Sequence, residues 1–309
     1  MIPASIAILY TRECNYVCDH CSVCSAPSTK EHMESSLVEK ITNEAYKIPS
    51  IRTIVFTGGE PMLNLDKLKN DLALVRYKGF TTRIVTNAWW ANDYEECENT
   101  MYELSKSGLH EINVSYDDFH LPYLNKFGGE KNIFNIALAA KKIGITLLYG
   151  MVLHPKSTIR SSDLEKKLEQ LGVTGTLFLE GYVAPLGRAR QTLDDSFFIP
   201  QDSSGHCGEL VKTINIQPNG DVAFCCGHAI FTGAKDFFIV GNINDDSLKS
   251  IIKKMQKNML LWFLWTKGPE EVMKYLDIQE NIHNMCEICY LLGTKYKNRL
   301  PELIRACSH

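Results

Sequence analysis

No stretch of this 309-residue chain approaches the roughly 18 consecutive apolar residues that a membrane-spanning helix requires, so a membrane partner is not expected. The opening segment, MIPASIAILY, lacks a basic start and a small-residue cleavage site. That excludes a secretory signal and predicts a cytoplasmic protein. Positive charge is not in excess either: 33 Lys and Arg stand against 36 Asp and Glu, a formal net charge of -3. Phosphate backbones are held by clustered basic surface, and with none evident no nucleic-acid partner is expected. Internal repeats, low-complexity tracts and long flexible linkers are absent too, which leaves a globular chain of one large domain or two of ordinary size. The hydrophobic fraction of 45% is enough for a real core.

What the chain does hold is cysteine, 11 residues in all. In a chain without an export signal these point away from structural disulfides and toward metal or redox chemistry, because the cytosol keeps thiols reduced. Cys14, Cys18, Cys21 and Cys24 crowd into TRECNYVCDHCSVCSAPS, directly after the apolar run SIAILY. Four thiolates suit a closed zinc tetrahedron, and soft sulfur ligands suit an iron–sulfur cluster equally.

Short β-branched runs alternate with segments of helical period. Ser5–Tyr10, Thr53–Phe56, Thr82–Thr86, Glu111–Ser115, Thr146–Val152 and Thr176–Leu179 read as strands. Glu34–Tyr46, Leu65–Lys78, Tyr94–Ser107, Ile133–Ile143 and Ser162–Leu171 read as helices. Such alternation predicts an α/β fold with a parallel sheet, whose chemistry gathers at the strand C-terminal ends. The cysteine cluster lies past one such end, and so do TGGEP (57–61), TNAWW (86–90) and SYDDFH (115–120). After about Arg190 the pattern changes: FIPQDSSGHCG precedes a predicted hairpin, TINIQPNGDVAFCC, whose Asn219-Gly220 pair is a strong turn signal.

C-x3-C-x2-C, written here as CNYVCDHC after the first strand, followed by GGEP after the second, resembles the radical S-adenosylmethionine (SAM) superfamily. The resemblance implies a partial (β/α)6 TIM-like barrel over residues 1–195. It also implies that Cys14, Cys18 and Cys21 hold a [4Fe-4S] cluster whose open iron chelates S-adenosyl-L-methionine. His20 then fills the aromatic place before the third cysteine. Gly58, Gly59 and Glu60 lie along the methionine amino group, the glycines allowing close backbone approach. Ser115 and Asp117 are the ribose candidates, and Asn87 and Arg188 complete the expected cofactor contacts.

CGELVKTINIQPNGDVAFC, residues 207 to 225, resembles the opening of the SPASM and twitch auxiliary-cluster domains. Cys286 and Cys289 in CEIC supply a later pair, but Lys295 and Arg299 stand where the SPASM pattern continues with cysteine. The resemblance therefore implies a twitch-like module over 196–309 with a single auxiliary [4Fe-4S] cluster on Cys207, Cys225, Cys286 and Cys289, with Cys307 an alternative ligand. That makes two clusters in the chain.

Cys226 follows a ligand directly. The CC pair resembles radical peptide epimerases, which convert L- to D-residues in ribosomally made peptides, and in that reading Cys226 returns a hydrogen atom to a substrate α-carbon; packing under the hairpin is the plainer reading. The implied partners are a precursor peptide and a flavodoxin- or ferredoxin-type electron donor. Peptide cross-linking and dehydrogenation of a carbohydrate alcohol share the same radical start and stay open. No extra N-terminal peptide-recognition domain is evident, which removes one common sign of a peptide substrate. Asp117, Asp118 and His120 suit either ligand contact or helix capping. Trp89 and Trp90 suit either the cofactor wall or the core, and Arg188 or Arg190 either a carboxylate clamp or a surface ion pair. MLLWFLWT (259–266) is expected as a core helix.

Overall fold

The computed structural model describes residues 1–226 and 229–302. Six parallel strands come first: β1 (Ser5–Thr11), β2 (Thr53–Gly58), β3 (Thr81–Thr86), β4 (Glu111–Ser115), β5 (Thr146–Leu153) and β6 (Leu177–Tyr182). Between them run α1 (Ser35–Tyr46), α2 (Leu65–Tyr77), α3 (Tyr94–Lys106), α4 (Glu130–Ile143) and α5 (Ser161–Gln170). All eleven expected elements are present. β1 is buried along nearly its whole length, as a central parallel strand covered on both faces must be. β2 to β4 alternate instead, so their buried positions pack under the helices while the others face the barrel interior.

The helices begin and end where local chemistry dictates. Asn64 accepts from Lys67 N at the start of α2, and Asp93 accepts from Glu95 N and Glu96 N at the start of α3. α4 ends at Gly144, whose φ of 86° is the left-handed stop that favours glycine.

The predicted hairpin forms as β7 (Thr213–Ile216) and β8 (Asp221–Ala223), and β9 (Ile239–Asn242) joins it. These strands do not make a separate sheet. β7 pairs parallel to β1, from Ser5↔Thr213 to Ile8↔Ile216, so one nine-stranded sheet runs β6-β5-β4-β3-β2-β1-β7-β8-β9. Helices α6 (Leu248–Gln256), α7 (Met259–Thr266), α8 (Pro269–Tyr275) and α9 (Met285–Gly293) follow. Within α7 only Leu261 and Leu264 are buried, while Met259, Trp262 and Trp265 face outward. MLLWFLWT is thus a half-buried helix rather than a core one. No helix among the described residues is long and apolar enough to cross a membrane.

Candidate active site

The loop after β1 carries Cys14, Cys18 and Cys21 into a cleft of about 890 Å³ at the C-terminal ends of the parallel strands. Burial pushes the Cys14 thiol up to about 12, with Glu60 adding to it, and raises Cys18 still further. Thiols must lose their protons to bind a metal, so a cation here would have to offset this burial cost. Among the described residues, the only group of three or more His, Cys, Asp or Glu ligand atoms within 4.8 Å of one another is His20, Asp117 and His120. The three sulfurs are therefore not all within 4.8 Å of one another. A polynuclear cluster, in which each thiolate takes its own iron, asks for no closer approach.

The GGE turn grips this loop. Gly59 N donates to Thr11 O at 2.6 Å and Glu60 N to Glu13 O at 2.8 Å. A Cβ on Gly58 would lie 2.1 Å from Thr11 O, and one on Gly59 1.9 Å from Glu13 O. The glycines do face the cleft, but the close approach that requires them is to the chain's own backbone. Glu60 does not line the cleft. It is fully buried, its Oε1 accepting from Met62 N and Thr86 Oγ1 and its Oε2 from Asn87 N at 2.7 Å. Asn87 does reach the site: its Nδ2 donates to Asn15 Oδ1 at 2.9 Å and lies 3.6 Å from Cys14 Sγ.

His20 lines the cleft with its ring against Phe119 at 4.7 Å and His120 at 4.8 Å. Burial lowers its pKa to about 4, with His120 and Arg188 adding to the effect, so the ring is neutral at pH 7 and suits an aromatic neighbour. Ser115 also lines the cleft. Asp117 borders it, yet both carboxylate oxygens are committed: Oδ1 accepts from Phe119 N, His120 N and His120 Nδ1, and Oδ2 from Val152 N. It caps the turn after β4 and ties it to β5. Asp118 likewise accepts from Thr158 and Ile159.

Arg188 does not line the cleft. Its Nη1 donates to Cys18 O at 2.8 Å and its Nη2 to Ser25 O at 2.6 Å, so the guanidinium fork clamps the cysteine loop. Arg190 stacks over Tyr290 at 4.4 Å. Trp89 and Trp90 do not line the cleft; Trp90 Nε1 donates to Thr86 Oγ1 behind it.

Cys207, Cys225, Cys286 and Cys289 line a second, smaller cavity of about 40 Å³, walled by Phe224, Phe238 and Leu264. Burial pushes Cys286 up to about 12 and Cys289 well above the ordinary thiol range, with the neighbouring thiols adding to both. This donor set also fits a thiolate cluster. Cys226 and Cys286 line both the small cavity and the large cleft. Cys307 lies outside the described residues. Two cleft residues escaped the motif search: Asn113 in EINVS and Asn215 in TINI. A polar residue inside an apolar parallel strand was the signal that could have found them.

A three-thiol loop at the mouth of a parallel α/β barrel, with a second thiol set behind it, defines a metallocluster enzyme. The chain belongs to the radical SAM superfamily, whose family model matches residues 8–168. The iron–sulfur cluster-binding SPASM domain matches residues 207–290. These domains imply S-adenosylmethionine and iron–sulfur clusters as cofactors. The chain is 22% identical over 298 residues to YydG of Bacillus subtilis (strain 168), a protein named for peptide biosynthesis, covering 94% of this chain and 92% of that one. Its fold is similar to that of BtrN in complex with AdoMet and 2-DOIA, with a TM-score of 0.56, 15% identity, and coverage of 88% of this chain and 90% of that one.

Proposed function

We propose that this radical SAM enzyme inverts α-carbons of a ribosomally made precursor peptide, with Cys226 as the hydrogen donor. One observation carries the reading: Cys226 borders the cleft and the auxiliary thiol cavity at once. The likeness to YydG along nearly the whole chain supports a peptide substrate. Cys14, Cys18 and Cys21 would hold one [4Fe-4S] cluster and Cys207, Cys225, Cys286 and Cys289 a single auxiliary one. When bound, the first cluster and S-adenosylmethionine supply a 5′-deoxyadenosyl radical able to remove a hydrogen atom from a substrate carbon.

The residues of the chain do the rest. The cleft holds the peptide with one face of the Cα toward the cofactor and the other toward Cys226. The Cys226 S–H bond breaks, its hydrogen forms a new Cα–H bond on the opposite face, and the thiyl left behind takes up one electron and one proton. That electron, and the one consumed when the adenosyl radical is generated, would come from a flavodoxin- or ferredoxin-type donor. Because a thiol proton exchanges with solvent, the incoming hydrogen carries a solvent label.

The test is anaerobic turnover in D2O of synthetic peptides from short open reading frames sought beside the gene, with mass and chiral analysis. One deuterium per inverted residue is expected. A product two hydrogens lighter with no deuterium means dehydrogenation or cross-linking and removes Cys226 from the chemistry. Cys226→Ala should still cleave S-adenosylmethionine but lose inversion, and Cys14→Ala should lose both.

A further inference from the structure

The nine-stranded sheet ends at β6, and among the described residues no strand pairs with its outer side. Val183 N, one residue past the strand, donates to Leu153 O of β5. Successive residues of a strand alternate in direction, so Phe178, Glu180 and Tyr182 turn their backbone N–H and C=O groups away from β5. A bare edge of this kind is usually blunted by lysine, proline or a bulge. LFLEGY has no lysine or proline, its one charge, Glu180, accepts from Ser161 N at 3.0 Å, and its register with β5 runs unbroken from Leu148↔Leu177 to Leu153↔Tyr182. Instead it exposes Leu177 at 51%, Leu179 at 50% and Tyr182 at 41%.

The edge leads into the site. Leu179, Glu180, Gly181 and Tyr182 line the same large cleft as the three cluster cysteines and Cys226. A Cβ added at Gly181 would meet nothing within 4 Å, so the face of the sheet is open to the cleft at this point.

We infer that the substrate peptide docks as an added strand on the outer edge of β6, its main chain bonding to Phe178, Glu180 and Tyr182 and its onward residues passing into the cleft. The inference rests on the proposed peptide substrate. Main-chain bonds supply affinity without reading sequence; alternate side chains of the guest fall beside the exposed Leu177 and Leu179 on one face of the sheet and beside Tyr182 on the other. A second copy of the chain is the competing occupant of such an edge; the continuity of β6 with the cleft favours the substrate.

The experiment is residue-resolved hydrogen–deuterium exchange of the cluster-loaded full chain with the synthetic precursor, repeated with precursors N-methylated one residue at a time. Slowing of exchange by about tenfold or more at Glu180 and Tyr182 is expected, since both amides pass from solvent to a ladder. Loss of binding should follow N-methylation at every second residue of one stretch. A precursor that is turned over while β6 exchange is unchanged, or that tolerates N-methylation throughout, overturns strand docking and leaves the proposed chemistry standing. Protection of β6 by a peptide that is never inverted upholds docking and removes epimerisation. Protection that rises with protein concentration alone assigns the edge to a second copy and overturns the inference.

Discussion

Glu60 stands in the GGEP motif, where the family resemblance aims it at the cofactor, but its carboxylate instead binds Met62 N, Thr86 Oγ1 and Asn87 N. That arrangement fixes Asn87, whose amide reaches Cys14 Sγ. Hydrogen bonds to cluster sulfurs raise the reduction potential by stabilising the more negative reduced state. Asn87→Ala should therefore lower the potential of the reconstituted first cluster by about 50 mV, on the order of 1 kcal/mol for one electron. Electron paramagnetic resonance during a redox titration reads this without turnover, and an unchanged potential would detach Asn87 from the cluster. Burial also pushes the Glu60 carboxyl from 4.5 up to about 7 against its three hydrogen bonds. A folded-state pKa above the unfolded one gives stability that is complete below pH 4.5 and lost as pH rises through 7. The cluster-free protein should thus weaken across that window by a few kcal/mol, and Glu60→Gln should flatten the slope in denaturant titrations at the cost of one accepted bond.

At the scale of elements, the parallel pairing of β1 and β2 builds the first thiol site. Gly58 has a φ of 126°, and both glycines press against main-chain atoms of the cysteine loop. Gly59→Ala would force Glu13 aside, costing about 3 kcal/mol or more. A drop in thermal midpoint together with poorer iron loading is the expected signature; a normally loading, equally stable variant would show that the loop can yield. Asp117 works similarly between β4 and β5. Burial raises its carboxyl, but His120, His20 and the donated bonds outweigh this and hold it well below the usual range. Its contribution is present above the unfolded pKa and is lost as pH falls, so Asp117→Asn should destabilise at neutral pH by about 3 kcal/mol and reduce acid sensitivity.

These elements were largely legible in the sequence, because strand and helix periods and the turn residues are local signals. β1 was expected over Ser5–Tyr10 and spans Ser5–Thr11, and the motifs do sit at strand exits. What was not legible is what the motif residues touch. Arg188 meets Cys18 and Ser25 from more than 160 positions away, a contact that no local spacing encodes. Asp117 was half legible: a capping role was foreseen, but not the bond to Val152 on the next strand.

At the scale of the whole molecule, the change of pattern near Arg190 divides the chemistry, and we propose 1–195 and 196–309 as functional units on that ground. It does not divide the sheet. Ile6 and Ile8 of β1 are fully buried, and β1 has β2 on one side and β7 on the other. Ser5 and Thr213 also join their hydroxyls at 2.8 Å across that seam. Removing residues 196–309 would leave β1 with a bare inner edge and strip its cover, an aggregation-prone state. A chain ending at residue 195 should accordingly lack a cooperative thermal transition and bind hydrophobic dyes, although it keeps Cys14, Cys18 and Cys21. Cys289→Ala makes the contrasting case, since it removes a proposed auxiliary ligand without touching the seam. With the two proposed [4Fe-4S] clusters, its iron content should fall from about eight to about four per chain while the first cluster retains its spectrum. If the shortened chain instead unfolds cooperatively and binds iron, the seam between β1 and β7 is dispensable and the two units fold independently.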